Sequence, residues 1–164
     1  MISPASNSFS VRKAFSLIEV VIAVIVLSIA VPPTLNLMDS AGAGRADAIN
    51  TTRAALLATS VLETVTADVN SQAPGLGFEA LGDAGTYLDT PSSGLYARLE
   101  SATDPYTSAG LTYTVTIGGL VSADGTVSAD ADDNIFRVVT VRVGFTAASS
   151  ASYQVPFRTM VSAL

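Results

Sequence analysis

Hydrophobic residues follow two different patterns along this chain. From Phe15 to Val31 the sequence is almost continuously apolar, interrupted only by Ser16, Glu19 and Ser28. A run of this length is at the short limit for an α-helix that crosses a membrane. Beyond residue 31 the apolar residues are spaced out between polar ones, as they are in a folded domain with a polar surface. The pattern therefore predicts a membrane segment followed by a polar-surfaced domain.

A helix is predicted over residues 34–70. Leu57, Val61, Val65 and Val69 recur at a spacing of four, and Leu62 widens the apolar stripe that they form. This is the pattern of an amphipathic helix that covers one face of a sheet.

Two short stretches should weaken the predicted helices. Pro32-Pro33 removes two backbone donors, so we expect a kink or break there, or a membrane helix that simply ends at Val31. Gly42 and Gly44 each cost about 1 kcal/mol relative to alanine inside a helix.

Three strands are predicted near the C-terminus, because apolar residues alternate there with polar ones. The short Ala/Ser-rich connection at 145–153 suits a hairpin, and Pro156 cannot donate to a strand ladder, which places the last strand at a sheet edge or at a bulge. Residues 71–110 are interrupted by Gly and Pro and are expected to form loops. The alternating positions are Tyr113, Val115 and Ile117; Ile135, Val139, Val141, Val143 and Phe145; and Tyr153, Val155, Phe157, Thr159 and Val161.

Composition and charge exclude several classes of function. The chain has 8 Lys and Arg against 14 Asp and Glu, and this acidic balance argues against binding to the phosphate backbone of nucleic acids. It has no cysteine and no histidine, which removes disulfides, thiolate metal sites and histidine-activated nucleophiles. Lys13 is its one lysine. We therefore expect a protein that is not an enzyme and needs no cofactor.

Glu19 separates three interpretations of the N-terminal segment. A secretory signal peptide cleaved after Ala30 and a plain membrane anchor both gain nothing from a carboxylate within the apolar run. Such a group costs on the order of 2–3 kcal/mol in mid-membrane, so an ionisable residue there calls for a function and a partner. The third interpretation, in which the carboxylate has both, depends on the residues around Glu19.

The segment from Arg12 to Val20 resembles the processing motif of type IV prepilins. Arg12 and Lys13 form a basic leader, Ala14 is a small residue, and Phe15-Ser16-Leu17-Ile18-Glu19 opens the apolar run. The resemblance implies that a prepilin peptidase cuts between Ala14 and Phe15 and methylates the new N-terminus. Members of the family usually have Gly before the cut, so Ala14 implies processing at a reduced rate.

The same resemblance assigns a role to Glu19. It implies that the Glu19 carboxylate of one subunit neutralises the Phe15 ammonium group of its neighbour during assembly. A buried charge is tolerable when it is paired and costly when it is alone, so the pair would fix the stagger between subunits.

The resemblance also implies an α+β, pilin-like fold and a structural function. Its parts would be a leader (1–14), the membrane part of the helix (15–33), its amphipathic part (34–70) and a β-rich periplasmic head (71–164) with a variable loop region (71–110). The protein would be a minor subunit of a type IV pilus or of a type II secretion pseudopilus, held in the inner membrane before assembly. Its partners would be other pilins or pseudopilins, the prepilin peptidase, the assembly platform and membrane lipid. The alternative is a secreted or anchored, adhesin-like binding domain.

An acidic segment joins the first two predicted strands. Its oxygen-bearing side chains could bind Ca²⁺, although the EF-hand spacing is missing and a solvated turn is the preferred interpretation. They are Asp124, Asp130, Asp132, Asp133 and Asn134.

Overall fold

The computed structural model describes residues 16–163, which form one long helix, shorter helices and a three-stranded sheet. This arrangement confirms the expected α+β class. The chain separates into two compact units, with the boundary between Gly42 and Ala43. The helices are α1 (Leu17–Val69), α2 (Ala84–Asp89) and α3 (Leu95–Thr107), with 3₁₀ turns at Glu79–Gly82 and Ala131–Asp133; the strands are β1 (Thr112–Val121), β2 (Phe136–Thr146) and β3 (Ser152–Ser162).

Helix α1 continues through both stretches that were expected to weaken it. Pro32 and Pro33 lie inside the helix, so the expected break, or end at Val31, is not observed. A proline removes its own N–H as a donor, and the i→i−4 bonds of the turns on either side remain available to hold the helix. The Gly42–Gly44 stretch is helical as well, and the boundary between the two compact units falls within it.

The second half of α1 supplies one wall of the hydrophobic core of the unit 43–164. Leu57, Val61 and Val65 are fully buried and Val69 nearly so, which confirms the predicted stripe. Side chains at a spacing of four lie above one another on one helix face, and burying a Leu or Val side chain stabilises a fold by about 1.5–3 kcal/mol.

The three strands form an antiparallel sheet in the order β1-β2-β3. The alternation is confirmed except at Ile135, which lies before β2 and is 54% exposed. Val139, Val141 and Val143 are fully buried against α1 and the small helices. Within residues 16–163 β3 is an edge strand, which is one of the two placements expected from Pro156. It pairs with β2, to which a tight turn at 147–150 connects it. The other edge, β1, is irregular where its register against β2 shifts between Ile117 and Leu120.

The prediction of loops over residues 71–110 was wrong. This segment contains a 3₁₀ turn and the helices α2 and α3, and it contributes to the core. Its glycines and prolines lie mostly between the short helices, although Pro105 lies inside α3. The helical pieces that they separate are too short to show an apolar period in the sequence. Its buried apolar side chains are Leu81, Tyr87, Leu88, Leu95 and Leu99.

Candidate functional site

Glu19 lies in the first turn of α1 and is exposed. The amide groups of Glu19 and Val20 both donate to the carbonyl of Ser16, which starts the helix. A carboxylate in the first turn interacts favourably with the partial positive charge of a helix N-terminus. Ala14 and Phe15, between which the sequence predicts cleavage, lie outside the described residues.

The first half of α1 presents apolar side chains on every side. Among residues 16–163, α1 is the one helix that is long and apolar enough to cross a membrane, and its apolar window has a mean hydropathy of 2.3 with no residue buried. Leu17 is 83% and Ile29 is 72% exposed. A contiguous apolar surface of this extent marks a membrane or protein interaction site, because soluble monomers rarely expose one.

The proline pair leaves two carbonyl groups without their normal helical donors. Pro32 and Pro33 have no N–H, so the carbonyls of Ser28 and Ile29 lack the i+4 bond. The Thr34 hydroxyl donates to the carbonyls of Ala30 and Val31, and so does not replace the missing donors of Ser28 and Ile29. Unsatisfied backbone carbonyls cost free energy in lipid, so this segment is more stable where a polar group can donate a hydrogen bond to them.

A buried ionic cluster joins three elements of the unit 43–164, which is called the head from here on. Asp68, near the end of α1, accepts two hydrogen bonds from Arg98 of α3, at 2.7 Å from Nη1 and 2.6 Å from Nη2. The Tyr87 hydroxyl of α2 donates to Asp68 Oδ2 at 2.5 Å. Arg98 Nε also donates to the Ser93 carbonyl, and the guanidinium lies 5.8 Å from the centroid of the Tyr87 ring. We call Asp68, Tyr87 and Arg98 the Asp68 cluster.

The charged groups of the Asp68 cluster are largely buried and are hydrogen-bonded to one another. The Asp68 side chain is 7% exposed and that of Arg98 is 27% exposed. The two hydrogen bonds to Asp68 raise the pKa of the Arg98 guanidinium. Burial, and then the hydrogen bond to the Asp68 carboxylate, raise the pKa of the Tyr87 phenol well above its ordinary value. A buried charge that is paired and hydrogen-bonded in this way is tolerated in a fold.

The Tyr87 phenol is expected to ionise later than a free tyrosine in an alkaline titration, because its pKa is raised. Because its pKa is raised in the folded protein, its contribution to stability is complete below its ordinary pKa of 10.0 and is lost as the pH rises above that value. Phenolate absorbance of the full chain in detergent, compared with Tyr87→Phe, measures this. Tyr87→Phe should remove the latest-ionising tyrosine, and an unchanged late phase would contradict the assignment.

The first half of the acidic segment forms a tight local turn. Asp124 accepts hydrogen bonds from the Ser122 hydroxyl and from the backbone and hydroxyl of Thr126. The Ser122 hydroxyl, followed by the Thr126 groups, lowers the pKa of Asp124 to about 2.

The second half of this segment is built in the same way. Asp130 accepts from the Asp132 amide and caps the 3₁₀ turn, Asp133 accepts from the Ser128 hydroxyl, and Asn134 bonds the backbone of Ser128 and Asp130. Within residues 16–163, no three acidic side chains are grouped closely enough to hold a metal ion. The carboxylates considered for Ca²⁺ therefore do not converge on one point.

No protein-family model, curated protein or solved structure matches this chain.

Sequence reasoning missed the Asp68 cluster. Asp68 lies on the predicted helix, but Arg98 lies 30 residues further along the chain, in a segment for which the sequence predicts loops. The one available signal was an acidic residue next to Val69 on the apolar stripe, where an unpaired charge would be costly.

Proposed function

We propose that this protein is a pilin-like structural subunit of a type IV pilus or of a type II secretion pseudopilus. The observation that carries the proposal is Glu19, a carboxylate in the first turn of an apolar helix whose apolar window is entirely unburied. A carboxylate at this position needs a cationic partner once lipid or other helices cover α1. Within residues 16–163 no cation forms an ion pair with it.

The partner in this proposal is created by processing. Cleavage between Ala14 and Phe15 leaves an ammonium group on Phe15, four residues before Glu19. Four residues correspond to about 6 Å along a helix, so a neighbouring subunit displaced by about that distance brings its Phe15 ammonium level with Glu19. In an apolar surrounding, a misplaced neighbour leaves two unpaired charges, which penalises the wrong stagger.

The α+β head is compatible with this role. In the unit 43–164 the C-terminal half of α1 packs on the sheet, and the apolar half of the helix remains free to be covered by lipid before assembly and by other subunits afterwards. In the proposal, the apolar half lies in the inner membrane and the head in the periplasm.

The mature N-terminus tests the proposal against its main competitor. Mass spectrometry of the protein from membranes of a host with a prepilin peptidase should show a chain that begins with a methylated Phe15. A chain that begins at Val31 would identify a secreted domain freed by a signal peptidase, and an unprocessed chain would identify a plain anchor. Either result overturns the proposal.

Glu19→Ala is expected to give a processed, membrane-held protein whose entry into fibres falls at least tenfold, which corresponds to about 1.4 kcal/mol. The reason is that the Phe15 ammonium of a neighbour then has no partner. Quantitative blotting of sheared fibres against membranes measures it. Glu63→Ala is the matched control, since Glu63 is an exposed glutamate on the same helix. Equal incorporation of both variants would refute the role of Glu19.

Ligand binding by the head remains the second candidate, and the fold changes how it must be tested. Removing residues 71–110 would remove core residues such as Leu81 and Leu95, so this deletion cannot separate binding from folding. A cavity of about 300 Å³ lies between the 74–76 turn and α2, with Glu79, Thr86 and Ser93 in its lining. Substitutions that fill this cavity leave the core in place and are the appropriate variants.

A further inference from the structure

An exposed stripe of two arginines and two apolar residues runs along α1 within the unit 43–164. Arg45, Ile49, Arg53 and Leu56 are separated by four, four and three residues, so they share one helix face. Ile49 is 44% and Leu56 is 55% exposed. A groove of about 290 Å³ lies along the Arg45–Arg53 part of this face. We call these four residues the basic stripe.

The cations of the basic stripe have no carboxylate partner in the described part of the chain. Among residues 16–163, the ion pair formed is that of Arg98 with Asp68. The buried residues of α1, such as Leu57 and Val61, lie on the opposite face, so the basic stripe faces away from the core. Two exposed arginines that flank apolar side chains form a surface suited to an acidic partner, because the apolar contact excludes water around the charges.

The acidic loop between β1 and β2 is the complementary surface. Asp124, Asp130, Asp132 and Asp133 are exposed, and their hydrogen bonds come from hydroxyl and backbone N–H groups within the loop. Across residues 16–163 none of them forms an ion pair with an arginine. The loop therefore carries four exposed carboxylates, and its own hydrogen bonds hold its shape.

The two surfaces lie at opposite ends of the sheet. The Ala148 amide, in the turn after β2, donates to Asp47 of α1, which lies on the side of the helix away from the basic stripe, so the far end of β2 is level with the Arg45 end of the stripe along the helix. The acidic loop precedes Phe136 at the other end of β2. With 11 residues in β2 and a rise of about 3.4 Å per residue, the acidic loop and the Arg45 end of the basic stripe are roughly 35 Å apart along the strand. An acidic loop at that distance cannot neutralise the basic stripe of its own chain.

We infer that the basic stripe of one subunit binds the acidic loop of a second copy, head to tail. The inference deepens the proposed fibre function and rests on it. Complementary surfaces at opposite ends of one body make a heterologous contact, and such contacts generate open filaments when the rotation between copies does not close a ring. An exposed ion pair contributes little to the free energy of binding. The charges of this contact therefore determine mainly which surfaces meet and in what register.

Disulfide trapping tests the inference directly, because the chain has no cysteine of its own. One version of the full chain carries Thr52→Cys beside the basic stripe, and a second carries Ala131→Cys in the acidic loop. The two are mixed in neutral detergent micelles and oxidised mildly. The 52–131 dimer should form at least tenfold more than either homodimer, and its yield should fall as salt is raised. Thr66→Cys, exposed near the other end of the same helix, is the matched control and should not be trapped with residue 131.

Charge reversal on each side completes the test. Arg45→Glu with Arg53→Glu on the first chain should lower the 52–131 yield at least tenfold, and so should Asp132→Arg with Asp133→Arg on the second. Asp130 is kept because it caps the 3₁₀ turn. Combining both reversed chains should restore the dimer, which a folding defect could not do.

Three results would overturn the inference: yields unchanged by reversal, no restoration in the combined pair, or trapping that requires phosphatidylglycerol in the micelles. The last result would identify an anionic lipid surface as the partner of the basic stripe. The N-terminus of the same samples is analysed by mass spectrometry. Absence of a methylated Phe15 defeats the proposed function, whereas loss of the 52–131 dimer from correctly processed chains defeats this inference alone.

Discussion

Replacing Asp68 by alanine is expected to lower the free energy of unfolding of the head by about 3 kcal/mol. Removing one partner of a buried ion pair leaves the other charge uncompensated, which typically costs about 3–5 kcal/mol. We expect the lower end of that range, because the Arg98 side chain is 27% exposed and water can reach part of it. The Tyr87 hydroxyl loses its acceptor as well.

Urea unfolding of the full chain in detergent, followed by tyrosine fluorescence, measures this effect. The chain has no tryptophan and its five tyrosines lie between Tyr87 and Tyr153, so the signal reports the unit 43–164 and not the apolar half of α1. Asp104→Ala, which removes an exposed carboxylate from α3, should change the stability by less than about 0.5 kcal/mol. A loss at Asp68 no larger than that of this control would show that the cluster does not tie the helices together.

A methyl group added at Gly94 is the second change with a large expected effect, roughly 2 kcal/mol of destabilisation. A Cβ there would lie 2.6 Å from the Thr90 amide nitrogen and 2.7 Å from the Leu88 carbonyl oxygen. Both are backbone atoms, so no side chain can move aside to make room. The φ of −65° and ψ of 160° suit any residue, which means that the cost is entirely one of space.

Gly94→Ala is compared with Gly85→Ala in the same unfolding experiment. A Cβ at Gly85 would meet its nearest neighbour, Asp83 Oδ1, at an ordinary 3.6 Å, and the position is within α2, where alanine favours the helix. Gly85→Ala should therefore be neutral or slightly stabilising. If both variants had the same stability, the close approach of the 88–90 backbone to Gly94 would be disproved.

The strands could be predicted from the sequence because their period is local. In β2 and β3 most apolar residues are followed by a polar residue, glycine or proline, except at Val138-Val139 and Met160-Val161, and burial of one face decides which residues alternate. The α1 stripe was equally visible, since Leu57 to Val69 covers more than three helical turns.

Residues 71–110 could not be predicted in the same way. Leu95, Leu99 and Thr103 have a helical spacing and are buried together, but one helix of this length with Pro105 near its end gives a weak period. α2 is shorter still and is held by tertiary contacts, among them the Tyr87 bond to Asp68. Short helices are marginal on their own, so their existence depends on partners that are distant in the sequence.

The candidate site could be predicted from the sequence only where a single residue differs in polarity from its neighbours. Glu19 interrupts an apolar run, and this conflict is visible without any structure. The pairing of Asp68 with Arg98 depends on a chain path across α2 and α3, and the separation of the basic stripe from the acidic loop depends on the length of β2. Neither is encoded in a local pattern.

The two free edges of the sheet have a consequence for aggregation. Exposed edges can add strands from other chains, and this hazard grows when many copies are held close together, as they would be in a fibre. Pro156 offers no N–H on β3, and on β1 the Val115 amide donates to the Tyr96 hydroxyl at 2.9 Å. The register shift between Ile117 and Leu120 further interrupts the β1 edge. Crowded heads can therefore touch through their side chains without joining their sheets into one.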